Sequence, residues 1–146
     1  MSLHSYTKIW LHLIWETHNR EKLLNERAGK IVSEYLFNYS KEKKIFMKVN
    51  YVNPEHVHSL IDLPSNHTVE DCLKLLKGAS SHFINQDNII EGRFSWGRGY
   101  AAFSVSESQA DKVVQYIKNQ KEHHKVKSFS EEYGEFLKKY NLMSNR

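Results

Sequence analysis

Two histidines one residue apart, His56 and His58, lie in an apolar run over residues 52–63. In a strand, alternate side chains share a face, so both imidazoles project the same way while Val57, Ile61 and Leu63 project the other. They stand roughly 6.5 to 7 Å apart along the strand, a separation from which two neutral imidazoles can converge on one divalent ion. Two ligands do not complete such a site. A second pair, Tyr116 and Gln120, is four residues apart in a helical pattern and therefore stacks on one helix face. A phenol beside a metal-bound phosphate is a competent nucleophile, because the metal withdraws charge from phosphorus and the phosphotyrosine product conserves the energy of the broken bond. The Gln120 amide oxygen is a hard donor suited to Mg²⁺ or Mn²⁺. His123 and His124 are rival ligands, whereas Glu122 points away from the Gln120 face. The competing readings are plain packing ones: half-buried strand histidines, and a tyrosine that fills space beside Val113 and Ile117.

The elements that must carry these residues follow in order. Residues 6–17 alternate, with Ile9, Leu11, Leu13 and Trp15 on one face and Tyr6, Lys8, Trp10, His12 and Ile14 on the other, as in a strand. Residues 25–44 place Ala28, Ile31, Val32, Tyr35, Leu36 and Tyr39 at helical spacing, and Lys41, Lys43 and Lys44 suit that helix's negative end. Residues 45–52 form a second strand, which Asn53-Pro54 breaks before the histidine strand; the two make a hairpin. Thr68 and Asp71 open a second helix through Leu73, Leu76, Ser80 and Phe83 with a capping box, and residues 85–99 are loop. Strand four covers residues 100–105. Ser106 with Gln109 reads as a capping box for the tyrosine helix, Ser128 with Glu131 caps a last helix holding Phe129, Tyr133, Phe136, Leu137 and Tyr140, and residues 142–146 read as a frayed tail.

This order, β-α-β-β-α-β followed by two C-terminal helices of which the first carries Tyr116, is the ferredoxin-like plan of the α+β class: a four-stranded antiparallel sheet with strands one and three central and the first two helices on one face. Its other face is left to the histidines and whatever covers them. A length of 146 residues suits a single domain over 1–146, without linkers or repeats. Cys72 is the lone cysteine, so no internal disulfide or cysteine-rich zinc site forms, and a reducing compartment fits. No signal-peptide pattern or membrane span is legible, which places the protein in the cytoplasm and away from membranes. A formal charge of +4 and a pI near 9.1 permit a nucleic-acid partner without selecting one. Lys74 and Lys77, one turn apart, and Trp96 and Arg98 in a glycine-flanked loop have the cationic and aromatic character of a single-stranded DNA surface. Solvated lysines and a buried tryptophan are the alternatives.

His56-Val57-His58, together with Tyr116-Ile117-Lys118-Asn119-Gln120, resembles the paired-histidine and tyrosine-helix motifs of the HUH single-tyrosine transposases of the insertion sequence 200/605 type, or transposase IS200-like. The resemblance extends through residues 14–20, 94–106 and 123–133. Glu55 stands where that family usually has aspartate and Ser59 where leucine is common, while Gly97 replaces a frequent glutamine and Ala101 a frequent glycine. The resemblance implies a metal-dependent transposase that cleaves and rejoins single-stranded DNA at mobile-element ends. Tyr116 would form a 5′-phosphotyrosine link, and His56, His58 and Gln120 would hold Mg²⁺ or Mn²⁺. It also implies DNA hairpins as partners and a homodimer in which the tyrosine helix of one subunit can complete the other's histidine site. Two other classes leave the same residues intact: an idle hairpin-binding regulator, and a metal nuclease that uses water.

Overall fold

A computed structural model describes residues 5–142. The order is β1 (Trp10–Glu16), α1 (Glu26–Glu42), β2 (Phe46–Val52), β3 (His56–Asp62), α2 (Val69–Gln86), β4 (Ala101–Val105), α3 (Ala110–Lys118), α4 (Gln120–His123) and α5 (Phe129–Lys139). The strands form one antiparallel sheet in the order β2-β3-β1-β4. This is the expected ferredoxin-like arrangement with β1 and β3 central.

Alternation along the strands sorts the two faces. Leu11, Leu13 and Trp15 of β1, with Val57 and Ile61 of β3, pack against Val32 and Leu36 of α1 and Leu73 and Leu76 of α2. On the opposite face Trp10, Val49 and Leu60 meet Ala110, Val114 and Ile117 of α3. Ile14, Ala101 and Phe103 meet Phe129 and Phe136 of α5 and Tyr140 at its end. The histidines lie between these two apolar patches, in register with Glu16 and Ile14 across the sheet. α1 comes very close to the end of β2, where a Cβ on Gly29 would lie 2.8 Å from the Val52 carbonyl oxygen.

Several boundaries differ from expectation. β1 begins at Trp10 rather than Tyr6, because the ladder with β3 ends at Asp62, whose carboxylate accepts the Ile9 N–H at 3.0 Å. The capping boxes at Thr68/Asp71 and Ser128/Glu131 form. That at Ser106/Gln109 does not: a 3₁₀ turn over Glu107–Gln109 leads into α3, Ser106 makes no capping hydrogen bond, and the Trp10 indole N–H takes the Glu107 carboxylate at 2.7 Å. The tyrosine helix, expected to run unbroken through Gln120, stops at Lys118, and Gln120 opens the short α4. Of the tail expected over residues 142–146, residues 143–146 lie outside the described residues. Among the described residues, no helix is long and apolar enough to cross a membrane.

Candidate active site

His56 and His58 are fully buried on the sheet face covered by α3, α4 and α5. Their Nε2 atoms point inward because each Nδ1 is engaged on the outer side. His56 Nδ1 lies 2.7 Å from the Glu55 carboxylate, and His58 Nδ1 lies 2.7 Å from Nε2 of the buried His12 on β1. Such partners fix ring orientation and tautomer, which is what a metal-binding imidazole requires. Asn53, buried in the β2–β3 turn, places its amide nitrogen 3.1 Å from His56 Nε2. Phe129 stacks on the outer face of the His56 ring at 3.8 Å between centroids.

The second half of the expected site meets the first within one chain. The Tyr116 ring lies 5.8 Å from that of His58 and 6.3 Å from that of His12. Gln120 is fully buried, with its Oε1 accepting from Asn53 Nδ2 at 3.2 Å and its Nε2 reaching back to the Tyr116 carbonyl at 3.4 Å. His124 lies at the rim: its Nδ1–H donates to the Lys127 carbonyl at 2.9 Å, and its Nε2 is 3.1 Å from Gln120 Oε1. His123 packs beside Tyr116, 4.6 Å between ring centroids. A cavity of about 200 Å³, lined by Tyr116, Glu132, His123, His124, Lys127 and Lys139, opens this side to solvent.

The centre is occupied by a residue that counted in the sequence only toward the family resemblance, with no role of its own. Glu132 of α5 is only 3% exposed. Its Oε1 lies 3.0 Å from His58 Nε2 and 3.4 Å from His56 Nε2. Its Oε2 accepts the Tyr116 O–H, and also the Gln120 Nε2–H at 3.2 Å. Ligand atoms of His56, His58 and Glu132 all lie within 4.8 Å of one another. Two imidazole nitrogens and one carboxylate oxygen suit a first-row divalent ion or Mg²⁺, so the donor set fits the expected metal. An acid at the buried position of a helix whose apolar stripe runs Phe129, Tyr133, Phe136, Leu137 and Tyr140 was the available signal.

The electrostatics follow from burial and these contacts. Burial drives His58 down to about 4, with the neighbouring His56 adding to the effect against the hydrogen bond from Glu132. Burial and His58 also hold His12 well below its ordinary value. For His56, burial is outweighed by the hydrogen bonds and charges of Glu132 and Glu55, and its value rises. Burial of the Glu132 carboxyl is likewise outweighed by hydrogen bonds from His56 and His58, which hold it far below the usual carboxylate range. Burial, with the charge and hydrogen bond of Glu132, raises the Tyr116 phenol well above its usual value.

The four residues singled out for DNA contact are not in this cluster. Trp96 is buried, its indole N–H donating to Ser80 Oγ at 2.9 Å. Lys77 donates to the carbonyls of Gly97, Arg98 and Gly99 at 2.8, 3.2 and 3.2 Å, so its ammonium braces the loop. Lys74 is exposed and paired with Glu70 at 3.4 Å, and Arg98 is exposed on the braced loop.

The family model described as Transposase IS200 like matches residues 5–120. The chain belongs to this family. That span contains His56, His58, Tyr116 and Gln120 but ends before α5, so Glu132 lies outside it. Consistent with membership of the IS200-like transposases, the chain is 27% identical over 114 residues to the ISDra2 transposase TnpA of Deinococcus radiodurans, covering 75% of this chain and 81% of that one. The fold is similar to that of a crystal structure of a candidate transposase from Deinococcus radiodurans R1, with TM-score 0.62, 27% identity and coverage of 82% of this chain and 96% of that chain. It is also similar to a REP-associated tyrosine transposase bound to a REP hairpin, with TM-score 0.58, 16% identity and coverage of 85% and 74%.

Proposed function

We propose that this IS200-like transposase cleaves and rejoins single-stranded DNA through a phosphotyrosine intermediate. The observation that carries the reading is the convergence of the Tyr116 phenol and two inward-facing imidazole nitrogens on one buried carboxylate. His56 and His58 would hold Mg²⁺ or Mn²⁺, with Gln120 the third ligand that the family resemblance implies. A cation bound there supplies Lewis-acid polarisation of the scissile phosphate. Tyr116 Oη attacks phosphorus, the bond from phosphorus to the 3′-oxygen breaks, and the phenol proton is lost as the 3′-oxygen gains one. The products are a 5′-phosphotyrosine and a free 3′-hydroxyl, and attack by another 3′-hydroxyl reverses the step.

Because burial and Glu132 keep the phenol protonated, attack requires a proton acceptor within reach of Oη, and Glu132 Oε2 is already hydrogen-bonded to it. The cavity beside Tyr116 carries Lys139 on its lining, a position from which an ammonium meets backbone phosphates, and Lys127, whose ammonium is paired with the Glu135 carboxylate at 2.7 Å. Arg98 and Lys74, both exposed, extend the basic contacts, while Lys77 and Trp96 act by holding the loop that presents Arg98. Hairpin DNA at element ends is the proposed partner, in a cytoplasmic setting, and the similar fold of a REP-associated transposase carries a hairpin. A homodimer is part of the proposal, with the chemistry available in cis because both halves of the site meet within one chain.

The test is cleavage of hairpin-flanking single strands by purified protein. Tyr116→Phe is expected to bind DNA and not cut it, and His58→Ala to lose metal-dependent cutting. Normal cleavage by either variant would overturn the corresponding role. Binding without cleavage by the unaltered protein would favour a regulator, and cleavage without attached protein a water-using nuclease.

A further inference from the structure

We propose that Glu132 is a ligand of the divalent metal, completing a two-histidine, one-carboxylate set, and that its second oxygen aims the Tyr116 phenol at the same centre. The inference rests on the metal-dependent reading above and changes which residue supplies the third ligand. Gln120 turns its donor nitrogen toward the cluster, 3.2 Å from Glu132 Oε2, while its oxygen is occupied by the Asn53 amide at 3.2 Å. An N–H cannot ligate a cation. Glu132 Oε1, by contrast, lies between the two imidazole Nε2 atoms at 3.0 and 3.4 Å.

Charge supports the same assignment. Glu132 is a buried anion whose ion-pair partners among the described residues are His56, His58 and His124, with no lysine or arginine. A carboxylate buried without a permanent cation is costly, because desolvation is not repaid by a fixed opposite charge. A divalent ion held by the two imidazole nitrogens and the carboxylate oxygen meets that cost. The helix that brings Glu132 here is firmly placed. The Ser128/Glu131 capping box starts α5, Phe129 stacks on His56 and Phe136 on Phe103 at 5.5 Å, and Glu132 falls between the two anchors on the same helix face.

The carboxylate divides its work: Oε1 faces the metal side, and Oε2 receives Tyr116 Oη–H and Gln120 Nε2–H. Glu132 is thereby a ligand by one oxygen and a positioning residue by the other, and Gln120 orients it.

The experiment is calorimetric titration of Mn²⁺ into the full, metal-free chain, with the loss of the free Mn²⁺ resonance signal as a second readout. Glu132→Gln and His58→Ala are each expected to lower affinity at least tenfold. Glu132→Asp, which keeps the charge on a shorter arm, falls between Glu132→Gln and the unaltered chain, and Gln120→Ala loses less than Glu132→Gln. Tyr116→Phe keeps the affinity, which separates ligation from packing around the phenol. Wild-type affinity in both Glu132 variants, or a greater loss in Gln120→Ala than in Glu132→Gln, would overturn the assignment. If His58→Ala loses Mn²⁺ and the Glu132 variants do not, only this inference fails; if the unaltered chain takes up no Mn²⁺, the metal-dependent reading fails with it.

Discussion

Glu55→Gln tests whether the outer partner of a histidine sets the strength of the metal site. Glu55 accepts from His56 Nδ1 at 2.7 Å, a charged hydrogen bond made to a fully buried ring. The substitution keeps shape and leaves the Glu55 carbonyl bond from the Thr17 N–H, 2.8 Å, in place. It replaces a charged acceptor, worth about 1.5–3 kcal/mol, with a neutral one worth about 0.5–1.5 kcal/mol. The difference of roughly 1–1.5 kcal/mol corresponds to about a tenfold loss in Mn²⁺ affinity, at the lower end of what outer partners of metal-bound histidines contribute. The effect has a pH signature, because Glu55 strengthens His56 Nε2 toward a proton as well as a metal. His56 titrates above its ordinary value through Glu132 and Glu55 against burial, so protons compete increasingly as pH falls. Removing the Glu55 charge weakens that competition too. Calorimetric titration at pH 8 should show the full tenfold gap between variant and unaltered chain, and at pH 6 a narrower one. Equal affinities at pH 8, or a gap that widens on acidification, would show that Glu55 does not set the strength of His56 as a ligand.

Stability of the metal-free chain should fall between pH 7 and pH 5. His12 and His58 titrate below 6.5 when folded, His58 near 4, so over this range the unfolded chain binds their protons first and acid favours unfolding. His56 opposes them, since its raised folded value adds stability that is present below about pH 6.5 and fades as pH rises through that folded value. Glu132, held far below the usual carboxylate range, adds a further loss below about pH 4.3, where the unfolded chain takes up its proton. Melting curves against pH check the sign, and a melting temperature that rises from pH 7 to pH 5 would contradict it. Arg98→Ala should weaken single-stranded DNA binding and flatten the slope of log affinity against log salt by about 0.7. Lys77→Ala should instead lower the melting temperature, because three carbonyls lose their donor; filter binding and thermal melts distinguish the two. Ser59→Ala should raise stability by about 1 kcal/mol, because the buried Ser59 hydroxyl has no hydrogen-bond partner among the described residues; an unchanged or lower denaturation midpoint would count against that.

The sheet and its strand order were legible because alternation in residues 10–16 and 56–62 assigns every side chain to a face, and His12, His56 and His58 fall on the face away from α1 and α2. The boundary between α3 and α4 was not. Val113, Tyr116, Ile117 and Gln120 keep helical spacing across Asn119, whose backbone at φ −94° and ψ 22° departs from the helix where Gln120 is drawn into the site. Ser106 and Gln109 have the residue types of a capping box, but Glu107 is claimed by Trp10, 97 positions away, a contact no local pattern contains. Trp96 and Lys77 illustrate the same limit. Their types suit a nucleic-acid surface, and only the fold shows that Ser80 and the loop carbonyls engage them. Glu132 escaped for a related reason. Next to Glu131, which caps α5, it reads as another acid of a helix N-terminus, and its burial depends on α5 crossing back over the histidine strand. Glu55, noted only as a departure from the usual aspartate, proves to orient His56.

The most direct test of tyrosine chemistry in this IS200-like transposase is intact mass measurement of protein incubated with single-stranded, hairpin-bearing DNA and Mn²⁺. The expected product is a covalent adduct equal to protein plus the 5′-phosphorylated fragment, mapped to Tyr116 and absent with chelator. Cut DNA accompanied only by unmodified protein would contradict it.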